Sequence, residues 1–539
     1  MKKTSKRTLT ALMAAMILAT TSVVAAIPVF AAETQSVSSE QQTASVAIDE
    51  KNFPDENFRA IVLKKIDTDG DGMLSLAERN AVTTLSIRCS QEAKNILGFT
   101  EKEGNSIGYR WYNGKAVDLT GLEYFTNLDT LYLSNIDPVG LPLDKLINLR
   151  EVYFTSMPVV SLDFSQNKKL ENIYCRCFNL LESINLQGLD QLPKLTLSKC
   201  NLNSLDLSSN TNLKEIYLDN NKFHSINLSN NTLCERLDFE GIPLTELDIS
   251  GLNQLTYLNI DGCAFDEVNA DTLKVSENTK LEELSAQKMT QCTRLDVSHI
   301  SSLKKVTADE NVFTSIKIGE NLKELHLHNS KKLPIIDSTT LEAPTNSALS
   351  GIYLYKSNTK KLSTSHLKSL TWIEAIDCQL EHLNISGNTA LTYLSLTNES
   401  WESGVTIDGN KNLKTMIVNP KLDKDVKAEL ETVKKLTGGK ITYIPEKITD
   451  LKAIKKTKTT LKLTFNAVSG ASGYKIYDAA TGKVLANVST QKGAKKLVKT
   501  ITGLKAGEQR KYKVRGYVTV NGTKHYGAYS NIYTKSTAN

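Results

Sequence analysis

Past its first thirty residues the chain has no apolar run long enough to span a bilayer, which excludes a multispan membrane protein. Histidine is scarce, with seven in 539 residues. No nucleophile motif, phosphate-binding glycine loop or carboxylate pair stands out from the acidic surroundings, so enzymatic chemistry is not expected. General disorder is excluded from the other side, because 40 % hydrophobic residues supply enough material for several cores.

The one apolar run opens the chain. Lys2, Lys3, Lys6 and Arg7 precede Leu9 to Ala26, which carries no charge, and small residues follow at Ala31 and Ala32. A basic start, an apolar stretch and a small-residue cleavage site predict a secretory signal peptide over residues 1–32, removed to leave no membrane span. An uncleaved anchor is the other reading of the same run. Residues 33–52 read as a flexible linker.

Charge is distributed unevenly. From Thr449 to Asn539 there are 16 Lys and 2 Arg against 3 acids, a net +15. The whole chain carries +6, and the leader holds four of the basic residues, so residues 33–448 carry −13. A small basic tail joined to a large acidic body points to two different partners.

The strongest signal is an internal repeat. The pattern L-x-x-L-x-L recurs with its first apolar position at Leu128, Leu149, Leu170, Leu192, Leu213, Cys234, Leu255, Leu281, Leu303, Leu322, Leu349, Leu370, Leu391 and Leu413. Spacings are 21 or 22 residues, apart from 26, 19 and 27 in the middle. The second half of each unit repeats as well, as in Leu205-Asp-Leu-Ser208, Leu247-Asp-Ile-Ser250 and Leu383-Asn-Ile-Ser386. Alternation on both sides predicts two strand-like edges and little helix. No unit buries its apolar side alone, so stacked neighbours make the core and the ends need caps. The repeat resembles the leucine-rich repeat family, in the bacterial subclass where L-D-L-S-x-N replaces a helix. That resemblance implies a repeat solenoid over residues 128–419, mainly parallel β with short convex segments. Residues 83–127 read as an N-terminal cap and lead-in, with a short capping helix over 90–97. Residues 420–447 read as a C-terminal cap, with an amphipathic helix from Lys421 to Leu436 stopped by Gly438-Gly439.

Eight cysteines invite a disulfide reading. Cys200, Cys263 and Cys378 fall eight residues after the first leucine, Cys175 and Cys234 replace inward leucines, and Cys292 aligns with inward Leu202. These six read as small core residues. Cys89 and Cys177 are left unassigned.

Before the repeats, residues 53–82 form a compact unit around Asp67-Thr-Asp69-Gly-Asp71-Gly72-Met73-Leu-Ser75-Leu-Ala-Glu78. A hard cation needs six or seven oxygens, and alternate carboxylates with a closing Glu supply them. The segment resembles a twelve-residue EF-hand loop. The resemblance implies Ca2+ held by Asp67, Asp69, Asp71, the Met73 carbonyl, Ser75 and Glu78. Only one such loop is present, so structural calcium is expected rather than signalling. After residue 448 the period becomes two, with Leu461–Phe465, Gly473–Tyr477, Lys483–Ala486 and Tyr512–Tyr517 as short strands. Leu504, Gly507, Tyr512 and Val514 resemble the tyrosine corner of a fibronectin type III-like sandwich over 448–536. Phe465 stands where that family usually has a core Trp.

In each repeat the residues two, four and six places after the first leucine face away from the core, onto a concave sheet. Tyr132, Tyr153, Tyr174, Tyr217, Tyr257, Tyr353, Tyr355, Trp372 and Tyr393 fall on this surface, among many acids. Tyrosine is a good strand residue that stacks across ladders, and it is also a common interface anchor. The surface reads as a site for an extracellular protein, peptide or glycan. Glu324, His326 and His328 alternate along one strand, near Asp309, and are the weak alternative metal cluster, for zinc. The basic tail is expected to contact anionic cell-wall polymers, through Lys455, Lys456 and Lys458, Lys495, Lys496 and Lys499, or Arg510 and Lys511, and not nucleic acid. The whole arrangement resembles secreted repeat proteins of Gram-positive bacteria. It implies an extracellular, non-catalytic binding protein, non-covalently associated with the cell wall. The alternative is a glycan-binding scaffold associated with polysaccharide-degrading machinery.

Overall fold

The computed structural model of the chain describes residues 44–89, 98–99, 106–111, 116–275, 279–378, 380–397 and 404–538. The leader over 1–32 and the capping helix expected over 90–97 lie outside the described residues. Among the described residues, no helix is long and apolar enough to cross a membrane.

Each L-x-x-L-x-L segment forms a short strand, and successive strands pair in parallel at equivalent positions. Leu131 lies beside Val152, Ile173 beside Leu195, Leu237 beside Leu258 and Leu394 beside Met416. The pairings run in one line as far as Lys440–Tyr443, which pairs only with Thr415–Val418 among the described residues, so the sheet is open. Because side chains alternate along a strand, Leu131, Leu133, Val152 and Phe154 are buried while Tyr132 and Tyr153 face outward. The chain is thus a parallel β-solenoid. Its second edge carries shorter parallel ladders, such as Ser161–Asp163 with Ser183–Asn185 and Ser315–Lys317 between Arg294–Asp296 and Leu341–Glu342.

The turns between the two edges bury backbone that no strand satisfies, and asparagines fill that need. Asn167 donates to the carbonyls of Leu143 and Leu146, and Asn388 donates to those of Thr364 and Leu367. Asn221 stands eight residues after Leu213, the position that Cys200, Cys263 and Cys378 occupy in other turns. It accepts from the N–H groups of Cys200 and Leu202 and donates to Leu197 and Leu218. The thiols at this position bond more weakly, as when Cys200 donates to the Cys175 carbonyl at 3.3 Å. Cys175, Cys200, Cys234, Cys263, Cys292 and Cys378 are buried, and Cys177 is half-buried.

Four expectations are corrected at the ends. Of the linker expected over 33–52, residues 33–43 lie outside the described residues and the rest is held in place: Val46–Ala47 pairs antiparallel with Met73–Leu74, and Arg79 donates to the Ala44 carbonyl. The lead-in already belongs to the long sheet, because Thr84–Cys89 pairs in parallel with both Thr130–Ser134 and Ser106–Trp111. The terminal helix spans Lys424–Thr437, starting at the Asp423 cap and ending on Gly438 at φ 65°. It buries Val426, Leu430 and Val433, but leaves Leu436, expected on its apolar face, 78 % exposed. The fourth is Tyr393, which is buried rather than open.

At the N-terminus, Glu56–Ile61 forms an α-helix capped by Asp55, which continues as a wider turn over Val62–Ile66; Leu76–Ala81 forms a second. Phe53, Phe58, Ile61 and Leu74 belong to the same continuous core as the first repeats. Gly121, at φ 102°, is needed here: a Cβ at that position would collide with the Phe53 ring. After residue 448, a three-stranded and a five-stranded antiparallel sheet share a core that includes Leu463, Phe465, Tyr474, Ile476, Tyr512 and Val514.

Candidate functional site

Two places in the chain carry candidate function. The first is the outward face of the long sheet. In-register pairing sets Tyr132, Tyr153 and Tyr174 side by side. The Tyr132 and Tyr153 rings stack at 4.6 Å and 8°, and Tyr153 and Tyr174 tilt at 5.9 Å. Arg88, from the strand before the first repeat, covers the Tyr132 ring at 5.5 Å. Carboxylates hold the hydroxyls in place: Tyr153 donates to Glu151 at 2.9 Å and Tyr217 to Glu215 at 3.0 Å. Further along, Lys194 covers Tyr217 and Arg236 covers Tyr257 at 4.3 Å. Burial raises the carboxyls of Asp238 and Asp261 above their ordinary range.

Towards the C-terminal end the same face changes character. His326 stacks on Tyr353 at 4.4 Å, and His328 meets the edge of Tyr355 at 6.1 Å. Glu324, His326 and His328 do not assemble into a ligand set. Among the described residues, the one group of three ligand atoms within 4.8 Å of one another is Asp67, Asp69 and Asp71. The reason is geometric, since alternate residues on one strand point in parallel rather than towards a shared centre. His326 reaches Glu324 only at 3.5 Å, and the carboxylate of Asp309 accepts from the His328 backbone N–H.

Trp372 and Tyr393 stack at 3.5 Å, and Tyr393, expected on the open surface, is only 4 % exposed. It lies in a separate buried cluster with Ile417 and Ile444, against which Trp372, Val518 and Val520 pack. The C-terminal module therefore covers this end of the face. The remaining eight expected aromatic residues keep partial exposure. No periodicity in the repeat could reveal the covering, because Val518 and Val520 lie outside it.

The second place is the loop Asp67–Glu78. Asp67 accepts from the N–H groups of Gly70 and Gly72, Asp69 from Asp71 and Asp71 from Met73. These turns bend three carboxylates towards one another. Asp69 gains from the Asp71 N–H, which lowers its pKa, yet desolvation and repulsion from Asp71, Glu78 and Asp67 leave it above the ordinary value. Crowded carboxylates and an all-oxygen donor set suit a hard cation. Glu78 is placed differently. One oxygen accepts from the N–H and hydroxyl of Thr68, and the other from those of Ser75, forming the cap of the second helix. Burial opposes its charge, but these donors outweigh it and hold the carboxyl at about 2. Sequence reasoning missed the pairing of Val46–Ala47 with Met73–Leu74, which gives the lone loop a strand partner.

No family model matches the chain, and no curated protein sequence matches it. Several solved structures are similar. The functional domain of InlJ from Listeria monocytogenes, described as including a cysteine ladder, aligns with 92 % of this chain and 99 % of its own, at 18 % identity and a TM-score of 0.42. An internalin (inlF) from Listeria monocytogenes aligns with 74 % of this chain and 91 % of its own, at 19 % identity and a TM-score of 0.31. The leucine-rich repeat domain of APL1 aligns with 59 % of this chain and 87 % of its own, at 14 % identity and a TM-score of 0.39.

Proposed function

We propose that the protein is a non-catalytic extracellular binding protein whose long-sheet face, in its first and middle turns, takes a protein or peptide ligand. One observation carries the reading. The Tyr132–Tyr153–Tyr174 row stays partly exposed on strands locked in register, while the far end of the same face is covered. Rigid tyrosines bordered by carboxylates suit a basic segment of a partner. A glycan is the second reading. It is favoured less because sugars stack on ring faces, and the faces of Tyr132 are taken up by Tyr153 and Arg88.

In this reading the loop is an EF-hand that holds a structural calcium ion through Asp67, Asp69, Asp71, the Met73 carbonyl, Ser75 and Glu78. The convergence of three carboxylates supports it. The shared core of the helical unit and the first repeats supports a bracing role for the ion. The C-terminal module is fibronectin type III-like, which two antiparallel sheets and the buried Tyr512 support. Its positive charge holds the secreted protein at an anionic cell surface.

The test is binding of the mature chain to arrays of basic, neutral and acidic peptides alongside a glycan array. Basic peptides are expected to bind, and Tyr132→Ala, Tyr153→Ala and Tyr174→Ala together to weaken them at least tenfold. Glycan binding without peptide binding would move the reading to the scaffold alternative, and peptide binding untouched by the triple variant would overturn the site.

A further inference from the structure

The outer face of the five-stranded C-terminal sheet holds a group of cations that the sequence clusters do not reveal. Lys475 lies opposite Arg515, Tyr477 opposite Lys513, and Tyr517 opposite Tyr526. These positions alternate with Tyr474, Ile476, Tyr512 and Val514, which form part of the module's core, so they point away from that core.

Each cation rests on a ring. The Arg515 guanidinium lies 4.0 Å from the centre of Tyr526 and 4.4 Å from Tyr529, and its Nε donates to the Tyr477 hydroxyl at 3.2 Å. Lys513 sits 4.1 Å over Tyr529, Lys524 sits 4.7 Å over Tyr517, and Lys475 sits 5.5 Å from Tyr526. Attraction to the ring quadrupole orders long side chains that otherwise sweep through solvent. It leaves their charge uncancelled.

The module's carboxylates lie elsewhere. From Thr449 onward the acids are Asp450, Asp478 and Glu508. Asp450 pairs with Lys452 and Lys496, and Asp478 and Glu508 both meet Arg510. Among the described residues, no carboxylate lies within ion-pair distance of Lys475, Lys513, Arg515 or Lys524. Four ordered positive charges on three adjacent strands, Lys524 exposed and Lys475, Lys513 and Arg515 half-buried, thus lack a carboxylate within ion-pair distance.

We infer that this face is a binding surface for a linear polyanionic glycan, one bearing sulfate, phosphate or carboxylate groups along its length. Strands stand about 4.8 Å apart and alternate residues on a strand about 6.6 Å apart, so the cations form a grid on the scale of charges along such a polymer. Single-stranded nucleic acid fits less well, since it needs free ring faces on which bases can stack. Here the chain's own cations lie over those faces. The inference deepens, and rests on, the reading of the basic module as a surface-retention device. It moves the contact from the lysine-rich stretches of the sequence to residues that meet only in the folded sheet.

The test is binding of the full mature chain to dextran sulfate, with uncharged dextran, inorganic polyphosphate and oligo-dT as further probes, at several salt concentrations. One variant carries Lys475→Gln, Lys513→Gln, Arg515→Gln and Lys524→Gln. A matched variant removes the same charge from exposed Lys483, Lys492, Lys495 and Lys499. Circular dichroism melting confirms that each is folded. The first variant is expected to bind at least tenfold more weakly, with the slope of log affinity on log salt reduced by about 3 to 4, and the second to change less than threefold. Equal losses in the two variants would overturn this site and leave general retention by charge standing. No binding by the unaltered chain at low salt would overturn both. Oligo-dT binding as tightly as dextran sulfate would overturn the assignment to a glycan.

Discussion

The hydroxyl of Tyr393, on the long sheet, lies 3.3 Å from Nε2 of His525, 132 residues further along the chain. Both side chains are nearly inaccessible, at 4 % and 5 % exposure. Burial pushes the His525 imidazole below its ordinary value, and no charged neighbour contributes to the shift. A base lowered on docking takes up a proton more readily once released. The docked arrangement is therefore favoured above the ordinary histidine value near 6.5, and its advantage declines as pH falls through that value towards the depressed one. Proteolysis of the connection near residue 446 is expected to be faster at pH 5 than at pH 7.5. His525→Phe should flatten that dependence. Tyr393→Phe should loosen the junction at pH 7.5 by about 1 kcal/mol, the worth of one hydrogen bond. A cleavage rate that ignores pH in the unaltered chain would contradict the argument.

Local pattern and long-range contact separate cleanly along this chain. Every first-position residue from Leu128 to Leu413 is buried, because each turn meets the same neighbours one turn away and a period of about twenty-one encodes that environment. The convergence of Asp67, Asp69 and Asp71 was equally legible, since their alternate spacing in a glycine-rich turn is what brings three carboxylates together. What the sequence hid is contact between segments that share no period. Val46 and Ala47 are two unremarkable residues until Met73 and Leu74 pair with them. Tyr393 has the same phase as Trp372 and Tyr257, yet it alone is sealed, by a module more than a hundred residues away. Leu436 continues the apolar phase of its helix but overshoots the surface that Val426, Leu430 and Val433 cover.

Calcium should act on stability through the shared N-terminal core. At a hundredfold excess over its dissociation constant, an ion that binds only the folded form adds about 2.7 kcal/mol. Scanning calorimetry of the mature chain is expected to show an upward shift of the melting transition with calcium and its reversal by a chelator. Asp69→Asn should abolish the shift while leaving the melting temperature without calcium unchanged or slightly raised, because it relieves carboxylate crowding. Glu78→Gln should lower the melting temperature even without calcium, because Glu78 also accepts from Thr68 and caps the second helix through Ser75. Equal effects of the two substitutions without calcium would count against this division of labour.

Thiol reactivity offers a check on the core. Burial pushes the thiols of Cys200, Cys234, Cys263 and Cys292 up to about 12. The thiolate is the reactive form, so at pH 8 these four are both shielded and protonated. Mass spectrometry after iodoacetamide treatment of the native chain is expected to find them unmodified, with Cys177, half-buried, modified before any of the four. All four should label in denaturant. Labelling of Cys263 in the native chain at the rate of Cys177 would mean that its turn opens.

Asn221 is the most demanding test of the turn chemistry. It satisfies four backbone groups, two N–H donors and two carbonyl acceptors, spread over its own turn and the one before it. Asn167 satisfies two carbonyls. A buried backbone group left unpaired costs about 1–3 kcal/mol, so Asn221→Ala should destabilise its turn by clearly more than Asn167→Ala. In a solenoid each turn leans only on its neighbours, and the damage should stay local. Hydrogen exchange is expected to show loss of protection over roughly residues 195–220 in Asn221→Ala, with the C-terminal turns unaffected. Asn221→Cys, which places at this site the side chain that Cys200 and Cys263 use in theirs, should recover part of the loss. A thiol donates a single weak bond and accepts poorly, so recovery to the level of asparagine would show that filling volume, and not hydrogen bonding, is what the position requires.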